Sequence, residues 1–373
     1  MKFMLRTISV KSNAQKSKKR NFNEDVLTNI LQRLPLKSLT RFKAVNSHWL
    51  SLISSPQFVF SHMNPSIRKY GVIQVENTHT RHPYLSLRIL NQNLSSSEVE
   101  TIHLLNPFGK VDHNTNTDCE FFGSCNGLLL ISLGGLRGRF ILWNPSTREH
   151  KKICRPMYQN FPDCCIAGLG YDYFNDNYKV VIVVSSSFGK FSIEVYNNKT
   201  NSWQNKKSLG FPYIFSSNQS GVTLDNGIIH WYVKRQQVDG QEAVLLCFDS
   251  AEEKFNEVLL PKCFPKKSCG VVSSLFGKLC VCRTGYGFLH VWKMGEYGEQ
   301  KSWSKVLDIS FPVGRYIPLG FANNIDELVM NLDGKAIAIY NPSRRHFRTV
   351  LLSGYQNGSR VVAYVQSLVS ISK

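Results

Sequence analysis

A short sequence motif that recurs at a fixed interval constrains the fold of this chain more than any other feature. A tight turn precedes a strong apolar strand repeatedly, and the second residue of the turn falls at positions 127, 177, 227, 277 and 327. Asn126-Gly127, Asp176-Asn177 and Asn226-Gly227 are pairs that permit the positive φ angles of hairpin turns. A period of about 50 residues, with two hairpins in each unit, is typical of a β-propeller that has one unit per blade.

A second sequence motif alternates with the first along the chain and favours the same architecture. It consists of an apolar strand, an aromatic residue, a polar turn and a second aromatic residue or histidine. Its first aromatic residues are Trp143, Tyr196, Phe248, Trp292 and Tyr340. These aromatic residues and the other tryptophans of the repeats are predicted to pack between strands rather than to stack on nucleic acid bases.

The ends of the repeat region indicate how the ring closes. A weaker copy of the repeat lies between Gly71 and Asn106, and the segment Arg360–Ile371 alternates like a strand that completes it. Closure by strands from both ends removes an open sheet edge. The predicted fold is therefore mixed and mainly β, with about six four-stranded blades. A β-sandwich of the same strands is the competing architecture, although it explains the fixed period poorly.

A short helical stretch precedes the repeats. Its first helix carries an apolar stripe at helical spacing, formed by Val26, Leu27, Ile30, Leu31 and Leu34. Pro35 ends this helix, Ser38 and Asn46 are predicted to cap a second and a third helix, and Pro56 ends the third. Three helices of this length have little interior, so the unit either packs as a cap on its own β domain or binds a partner.

The helical stretch resembles an F-box in the form that is common in plants. The residues that carry the resemblance are Asp25, Ile30, Leu31, Leu34-Pro35, Lys37-Ser38-Leu39, Arg41-Phe42-Lys43, Val45, Trp49, Ser51-Leu52-Ile53-Ser54-Ser55-Pro56 and Phe58. The chain departs from the family at Phe22-Asn23, where Leu-Pro is usual, and at Ala44, Ser47 and Leu50, where Cys, Lys and Arg are usual.

The resemblance implies that the helices bind the Skp-type adaptor of a cullin-RING ubiquitin ligase. The contact is expected to be apolar. The residues expected to form it are Val26, Ile30, Leu34, Pro35, Leu39, Phe42, Val45 and Trp49.

The repeats resemble the plant F-box-associated domain, whose repeat organisation is similar to that of kelch repeats. The matching pieces include Ser124–Leu128, Trp143–Arg148, Gly168–Asp172 and Asp176–Val181. The implied division of the chain is a disordered basic tail (1–20), an F-box (21–63) and a β-propeller-like domain (68–373). The implied function is that of a non-catalytic substrate receptor in an SCF-type ubiquitin ligase, which recruits a target protein through the β domain.

The charge of the chain indicates the chemistry of such a target. Lys and Arg number 45 and Asp and Glu 26, which gives a formal net charge of +19. An acidic surface on the target is therefore expected. The one basic cluster of the predicted β domain that lies in a turn between strands contains Arg344, Arg345 and Arg348, and these are the candidate target-binding residues.

An alternative function stays open at this point, namely a propeller enzyme or nucleic-acid-binding protein whose helices are purely structural. Against it, the sequence contains no glycine-rich phosphate loop, no dinucleotide fingerprint and no catalytic serine or metalloprotease motif. The ten cysteines form no C-x-x-C pair and are expected to be free thiols in a reduced compartment, so neither a metal nor a cofactor is predicted. The sequence contains no apolar run long enough to predict a membrane span. Nucleic acid is not an expected partner. The expected location is the cytoplasm, the nucleus or both.

Overall fold

The structure is a computed structural model, and it describes most of the helical stretch and most of the repeats. The described residues are 24–63, 70–76, 84–89, 100–104, 119–133, 139–154, 164–185, 191–206, 213–215, 219–237, 240–265, 270–275, 277–322, 327–351 and 360–371. The predicted tail of residues 1–20 lies outside them. No helix in these segments is long and apolar enough to cross a membrane.

Residues 24–63 form four helices, so the prediction of three is wrong. They are α1 (Glu24–Gln32), α2 (Leu36–Phe42), α3 (Ser47–Ile53) and α4 (Pro56–His62). Pro56 does follow the end of α3, but it also lies in the first turn of α4, where a proline leaves no backbone acceptor unpaired. Ser55 caps α4, since its hydroxyl accepts a hydrogen bond from the backbone N–H of Phe58 at 3.2 Å.

Of the two residues that were predicted to cap the second and third helices, one is confirmed and the other is wrong. Asn46 caps α3 as predicted, because its side-chain oxygen accepts from the backbone N–H of Trp49 at 2.8 Å. The prediction for Ser38 is wrong. Pro35 occupies the cap position of α2, so Ser38 lies inside that helix.

Strands make up nearly all of the remaining described structure, with one short 3-10 helix (Gln300–Ser302). They are β1 (Tyr70–Glu76), β2 (Tyr84–Ile89), β3 (Glu100–Leu104), β4 (Cys119–Cys125), β5 (Leu128–Leu133), β6 (Arg139–Asn144), β7 (Glu149–Ile153), β8 (Cys164–Asp172), β9 (Asn177–Ser185), β10 (Phe191–Asn197), β11 (Ser202–Lys206), β12 (Tyr213–Ile214), β13 (Gln219–Ser220), β14 (Val222–Thr223), β15 (Ile229–Gln237), β16 (Gly240–Asp249), β17 (Lys254–Leu259), β18 (Gly270–Leu275), β19 (Lys278–Met294), β20 (Trp303–Ala322), β21 (Glu327–Leu332), β22 (Ala336–Asn341), β23 (His346–Leu351) and β24 (Arg360–Val365).

Among the described residues these strands pair into five sheets. Their orders are β24-β1-β2-β3, β4-β5-β6-β7, β11-β10-β9-β8-β13, β12-β15-β16-β17 with β14 also on β15, and β18-β19-β20-β21-β22-β23. The mainly β class, the propeller arrangement and the N-terminal position of the helices are confirmed. The predicted count of about six separate four-stranded blades is wrong for the described strands. The last two repeats share one sheet, because β20 pairs with β19 through its first half and with β21 through its second half.

The predicted closure of the ring is present in the structure. β24, near the C-terminus, pairs in antiparallel register with β1, and Val72 lies opposite Ala363. β1 continues through β2 to β3, so the first sheet combines strands from both ends of the chain. This pairing covers an edge of β1 that would otherwise be open.

The second sequence motif of the repeat forms a turn of the same geometry in four repeats. In four repeats an Asn or Asp follows the aromatic residue, and its side-chain oxygen accepts from a backbone N–H two or three residues further on. The pairs are Asn144 with Ser146 (2.9 Å), Asn197 with Thr200 (3.0 Å), Asp249 with Ala251 (2.8 Å) and Asn341 with Arg344 (2.9 Å). The residue four positions after each Asx has a positive φ, namely Arg148, Asn201, Glu253 and Arg345. The side-chain bond offsets the cost of that left-handed residue and fixes the turn.

Tryptophans of the repeats link neighbouring sheets. The indole N–H of Trp203 donates to the carbonyl of Cys154 at 2.9 Å, and that of Trp303 donates to the carbonyl of Leu259 at 2.9 Å. Each acceptor follows or ends the last strand of the preceding repeat. The interpretation of the tryptophans as packing residues is therefore confirmed at these two positions.

Candidate functional site

The helical unit presents an apolar surface to solvent. Val26 and Ile30 lie one turn apart on α1, Val45 lies in the α2–α3 turn, and Leu50 lies on α3. Their side chains are between 47% and 57% exposed. The opposite side of α1 carries Leu31, which is buried in the core. Because α1 packs on the core through Leu31, it does not need Val26 and Ile30 for that packing, and these exposed side chains are candidates for contact with a partner.

The structure distributes the predicted adaptor-binding residues over three environments. Four of them are exposed, three are half-buried and one is fully buried. The exposed residues are Val26, Ile30, Pro35 and Val45, the half-buried ones are Leu34, Phe42 and Trp49, and the buried one is Leu39. Leu39 therefore supports the surface from inside the helical unit. Leu50 was not among the predicted residues, because it lies off the apolar stripe of its helix and shows its exposure only in the folded chain.

Contacts beneath the surface fix its shape. The rings of Phe42 and Trp49 meet edge to face with their centres 5.2 Å apart, which joins α2 to α3. His62 of α4 places its Nε2 atom 3.1 Å from the carbonyl oxygen of Leu34. This contact holds the corner that precedes the exposed Pro35, so the surface is preorganised for a rigid partner.

The helices are packed on the propeller through one continuous core. Phe60 of α4 contacts two aromatic rings of the β8–β9 hairpin, with ring centres 5.6 Å from Tyr171 and 6.2 Å from Tyr173. Leu368, Val369 and Ile371, which follow β24, are buried in the same core as the helices. The segment after β24 therefore lies between the helices and the sheets.

Side chains from two repeats hold this C-terminal segment in place. The amide of Asn198 donates to the carbonyl of Ile371 at 3.0 Å, and the carboxylate of Glu149 accepts from the backbone N–H of Ile371 at 2.9 Å. Glu149 also accepts from the hydroxyl of Ser370 at 2.8 Å. The helical unit is thus fixed relative to the propeller through this C-terminal segment.

The propeller has two sides, which we define by the position of the helices. Antiparallel strands alternate in direction, so successive turns fall on alternate sides. The turn at Gly127 lies beside Ser367, and the turn after Asp172 lies beside Phe60, so turns after the first and third strands of a repeat face the helices. We call this the helix side and the opposite one the far side. The turn of residues 342–345 follows a third strand and lies on the helix side.

The candidate target-binding arginines are only partly brought together. Arg344 and Arg345 are exposed in the turn on the helix side. Arg348 is not in that turn but on β23, where its guanidinium forms a 3.1 Å ion pair with Glu327 of β21. The suggestion that Arg344 and Arg345 contact a target stays a prediction.

Burial holds one histidine and two cysteines of the interior in their neutral forms. The pKa of His230 is lowered to about 4, chiefly by burial, and its Nε2 atom lies 2.8 Å from the hydroxyl of Tyr297. Burial raises the pKa of Cys247 and Cys280 to about 12. In the segments that the structure covers, no group of three or more His, Cys, Asp or Glu side chains is placed to hold a metal ion.

A cavity of about 330 Å³ lies where the inner strands of the sheets meet. Its lining combines aliphatic side chains with hydroxyl groups and includes Phe121, Thr223, Val272, Ile317 and Val361. A cavity of this size is at the lower end of the range for small-molecule sites.

Comparison with known proteins identifies both parts of the chain. Residues 20–61 match the family model of the F-box domain, and residues 64–371 match that of the F-box associated beta propeller domain. An F-box/kelch-repeat protein of Arabidopsis thaliana is 25% identical, and the match covers 94% of this chain and 96% of that protein. The F-box protein CPR1 of the same plant is also 25% identical, with 92% of this chain and 88% of that protein covered.

Proposed function

Because this chain belongs to the plant F-box proteins that carry an F-box-associated β-propeller domain, we propose that it is the substrate receptor of an SCF-type ubiquitin ligase. Its helices bind a Skp-type adaptor and through it a cullin-RING ligase. Its β domain recruits a target protein with an acidic surface. The chain acts in the cytoplasm, the nucleus or both, and it contributes no catalytic residue.

The observation that carries this proposal is the surplus apolar surface of the helices. Val26, Ile30 and Val45 are half exposed although a second apolar face of the same unit already packs on the core. Fully burying an aliphatic side chain contributes about 1.5–3 kcal/mol relative to full exposure. Several half-exposed aliphatic residues on one preorganised unit therefore support a stable contact with an apolar partner.

The rigid attachment of the helices supports a receptor that acts by proximity. A target held on the propeller keeps a fixed position relative to the adaptor, since the helices and the segment of residues 366–371 share one core. Holding two reactants in a defined arrangement removes much of the entropic cost of their encounter. The receptor can thus promote ubiquitin transfer without any chemistry of its own.

The adaptor contact is tested by titrating the full chain with a purified plant Skp-type adaptor in a calorimeter. The double variant Val26→Ser, Ile30→Ser removes exposed methyl groups without touching the buried side of α1. We expect the affinity to fall by at least about tenfold, which corresponds to about 1.4 kcal/mol. A matched control is Tyr286→Ser, which removes an exposed aromatic ring of β19, in the last sheet, and should bind as the wild type does. Equal affinity of the double variant and the wild type would contradict the proposal.

A further inference from the structure

Two chain reversals project from the far side of the propeller and expose large apolar side chains. Tyr286 lies near the middle of β19 and is 76% exposed, and Val313 lies near the middle of β20 and is 86% exposed. Both belong to the last six-stranded sheet. Such exposure at neighbouring points is unusual for side chains that have no partner.

β19 doubles back at Tyr286, which makes this residue a tip. The ammonium group of Lys278, at the start of β19, donates to the carbonyl of Gly295, just beyond its end, at 3.2 Å. A straight strand of 17 residues would hold these groups roughly 55 Å apart. The reversal is at residues 284–287, where Gly287 has a φ of +76°. The turn between β18 and β19 follows the first strand of this repeat and therefore lies on the helix side. The first half of β19 pairs with β18 and runs away from that turn, so its reversal is on the far side.

The two tips lie beside each other. Tyr286 is opposite Arg315 in the pairing of β19 with β20, two residues from Val313. A Cβ atom on Gly287 would lie 3.2 Å from the carbonyl oxygen of Phe311. The exposed ring and the exposed isopropyl group therefore belong to one surface.

The tip that carries Val313 is held rigidly from below. The ring of Phe311 stacks on that of Tyr316 with centres 4.4 Å apart, and the hydroxyl of Tyr316 donates to the carbonyl of Pro312 at 3.1 Å. Arg315 and Asp333 are joined by two bonds, since the backbone N–H of Arg315 donates to the Asp333 carboxylate at 2.9 Å and the N–H of Asp333 donates to the Arg315 carbonyl at 3.1 Å. Val313 is thus displayed in a fixed position, which lowers the entropic cost of binding a partner.

Positive charge flanks the two tips. The Arg283 guanidinium lies over the ring of Phe288, 4.9 Å from its centre, and Arg315 is exposed. Within the described residues neither guanidinium forms an ion pair with a carboxylate. Of the nearby acids, Asp308 pairs with Lys305 and His290, whereas Asp333 accepts the backbone N–H of Arg315 and keeps its charge at the base of that tip. We call the two exposed tips and the two guanidinium groups the far-side ridge, which consists of Tyr286, Val313, Arg283 and Arg315.

We propose that the far-side ridge docks a segment of the target protein that carries an apolar side chain flanked by Asp or Glu. Tyr and Arg are, with Trp, the residue types that are enriched at the energetic centres of protein interfaces. A protein segment fits better than single-stranded nucleic acid, because the aliphatic Val313 offers no surface for base stacking. The proposal rests on the proposed receptor function and names the chemistry of its target. It also places the contact on the far side, away from the adaptor.

The test selects peptides from a random display library on the full chain and then measures their affinities by fluorescence anisotropy. We expect the selected peptides to be enriched in Asp and Glu beside an aromatic or aliphatic residue. The double variant Tyr286→Ser, Val313→Ser should weaken their binding by at least about tenfold. The control Phe174→Ser removes a side chain that is 90% exposed on the helix side, and it should leave the affinity unchanged.

A second variant tests the electrostatic part. Reversing Arg283 and Arg315 to Glu should weaken the acidic peptides and remove the acidic enrichment when the selection is repeated. Three results would each overturn the proposal: recovery of no peptide, peptides without acidic enrichment, or equal binding to the Tyr286→Ser, Val313→Ser variant. Tighter binding of a single-stranded RNA than of any peptide would overturn it as well.

Adaptor binding measured on the same variants separates this proposal from the one on which it rests. The ridge variants should bind the Skp-type adaptor with wild-type affinity, since the ridge is on the opposite side from the helices. If the wild-type chain itself fails to bind the adaptor, the receptor function is wrong whatever the peptides show. If the adaptor binds and the ridge variants still hold the peptides, only the ridge is wrong.

Discussion

The side-chain amide of Asn144 donates a hydrogen bond to the backbone carbonyl of Val369 at 2.7 Å, across 225 positions of sequence. Asn144 is fully buried, and its amide oxygen also accepts from the hydroxyl of Tyr364 at 3.0 Å. Val369 in turn belongs to the core that contains the helices. One side chain in a propeller turn therefore secures the segment that fixes the F-box in place.

Replacing Asn144 with Ala should destabilise the protein strongly. The change leaves the Val369 carbonyl buried without this partner, whereas the Tyr364 hydroxyl keeps its contacts with Ser146, so the cost is about 1–3 kcal/mol in the free energy of unfolding. Chemical denaturation followed by tryptophan fluorescence measures it. Asn341→Ala is the matched control, because Asn341 occupies the equivalent turn but, among the residues that the structure describes, its side chain bonds only its own loop, through the backbone N–H of Arg344, at 2.9 Å. A similar loss in the two variants would contradict the role assigned to Asn144.

Deleting residues 360–373 should lower the melting temperature of the whole β domain by at least about 5 °C. The deletion removes β24 and exposes the edge of β1 with which it pairs. Differential scanning calorimetry gives the result, and a chain with an unchanged melting temperature would show that the ring does not depend on this closure. A shorter deletion that begins at Gln366 keeps β24. It should destabilise the protein less than the full deletion, and it should increase hydrogen exchange in α4, because Leu368, Val369 and Ile371 share a core with the helices.

Acid should weaken the contact between the third and fourth repeats. Burial by itself raises the pKa of Asp172 and of Glu253, but hydrogen bonds from Asn175 to Asp172 and from Lys206 and Lys179 to Glu253, together with the charge of Lys179, outweigh it and lower both pKa values. Lys179 bridges the two carboxylates, with its Nζ atom 3.1 Å from Asp172 and 2.9 Å from Glu253. Groups with lowered pKa values stabilise the fold above their ordinary values of 3.8 and 4.5 and lose that contribution as the pH falls through their folded values.

The free energy of unfolding should therefore decline below about pH 4.5, and Lys179→Met should flatten that decline. The variant should also cost about 3–5 kcal/mol near neutral pH, because it leaves buried Asp172 without its cation. Lys254→Met is the control, since the Lys254–Glu252 pair is largely exposed. Identical pH profiles for Lys179→Met and the wild type would contradict the assignment.

Leu50 should contribute to adaptor binding although it departs from the family pattern. Its side chain is exposed on α3, five residues after the exposed Val45. Leu50→Ser should weaken binding of a Skp-type adaptor by about threefold to tenfold without changing the melting temperature. Leu351→Ser removes an exposed leucine from the end of β23 and should have no effect on the adaptor. Equal affinity of both variants would exclude Leu50 from the contact.

Local features of the fold could be predicted from the sequence because they depend on local chemistry. Asn126 and Gly127 both have positive φ angles, as the Asn-Gly pair predicts, and the strands on either side pair as a hairpin. The strand that begins at Arg360 was recognisable because its alternation is also local. The fourth helix was not predicted, because a proline is compatible both with the first turn of a helix and with the position after the end of another, and Pro56 occupies both.

Long-range features could not be predicted in the same way. The last two repeats share a sheet because β20 runs on from Trp303 to Ala322, and nothing in the local pattern distinguishes this strand from two separate ones. Arg348 is engaged by Glu327, a carboxylate on another strand, which the basic cluster alone does not reveal. Likewise, the exposure of Leu50 and Tyr286 depends on the folded surface rather than on their neighbours in sequence.

The most direct test of the receptor function is reconstitution of the complex, measured by size-exclusion chromatography with multi-angle light scattering. The full chain is mixed with a purified cullin-RING pair, with and without a Skp-type adaptor. We expect one complex that contains each component once, that forms only when the adaptor is present, and that is lost in the Val26→Ser, Ile30→Ser variant. Failure of the folded wild-type chain to join the complex in the presence of the adaptor would contradict it.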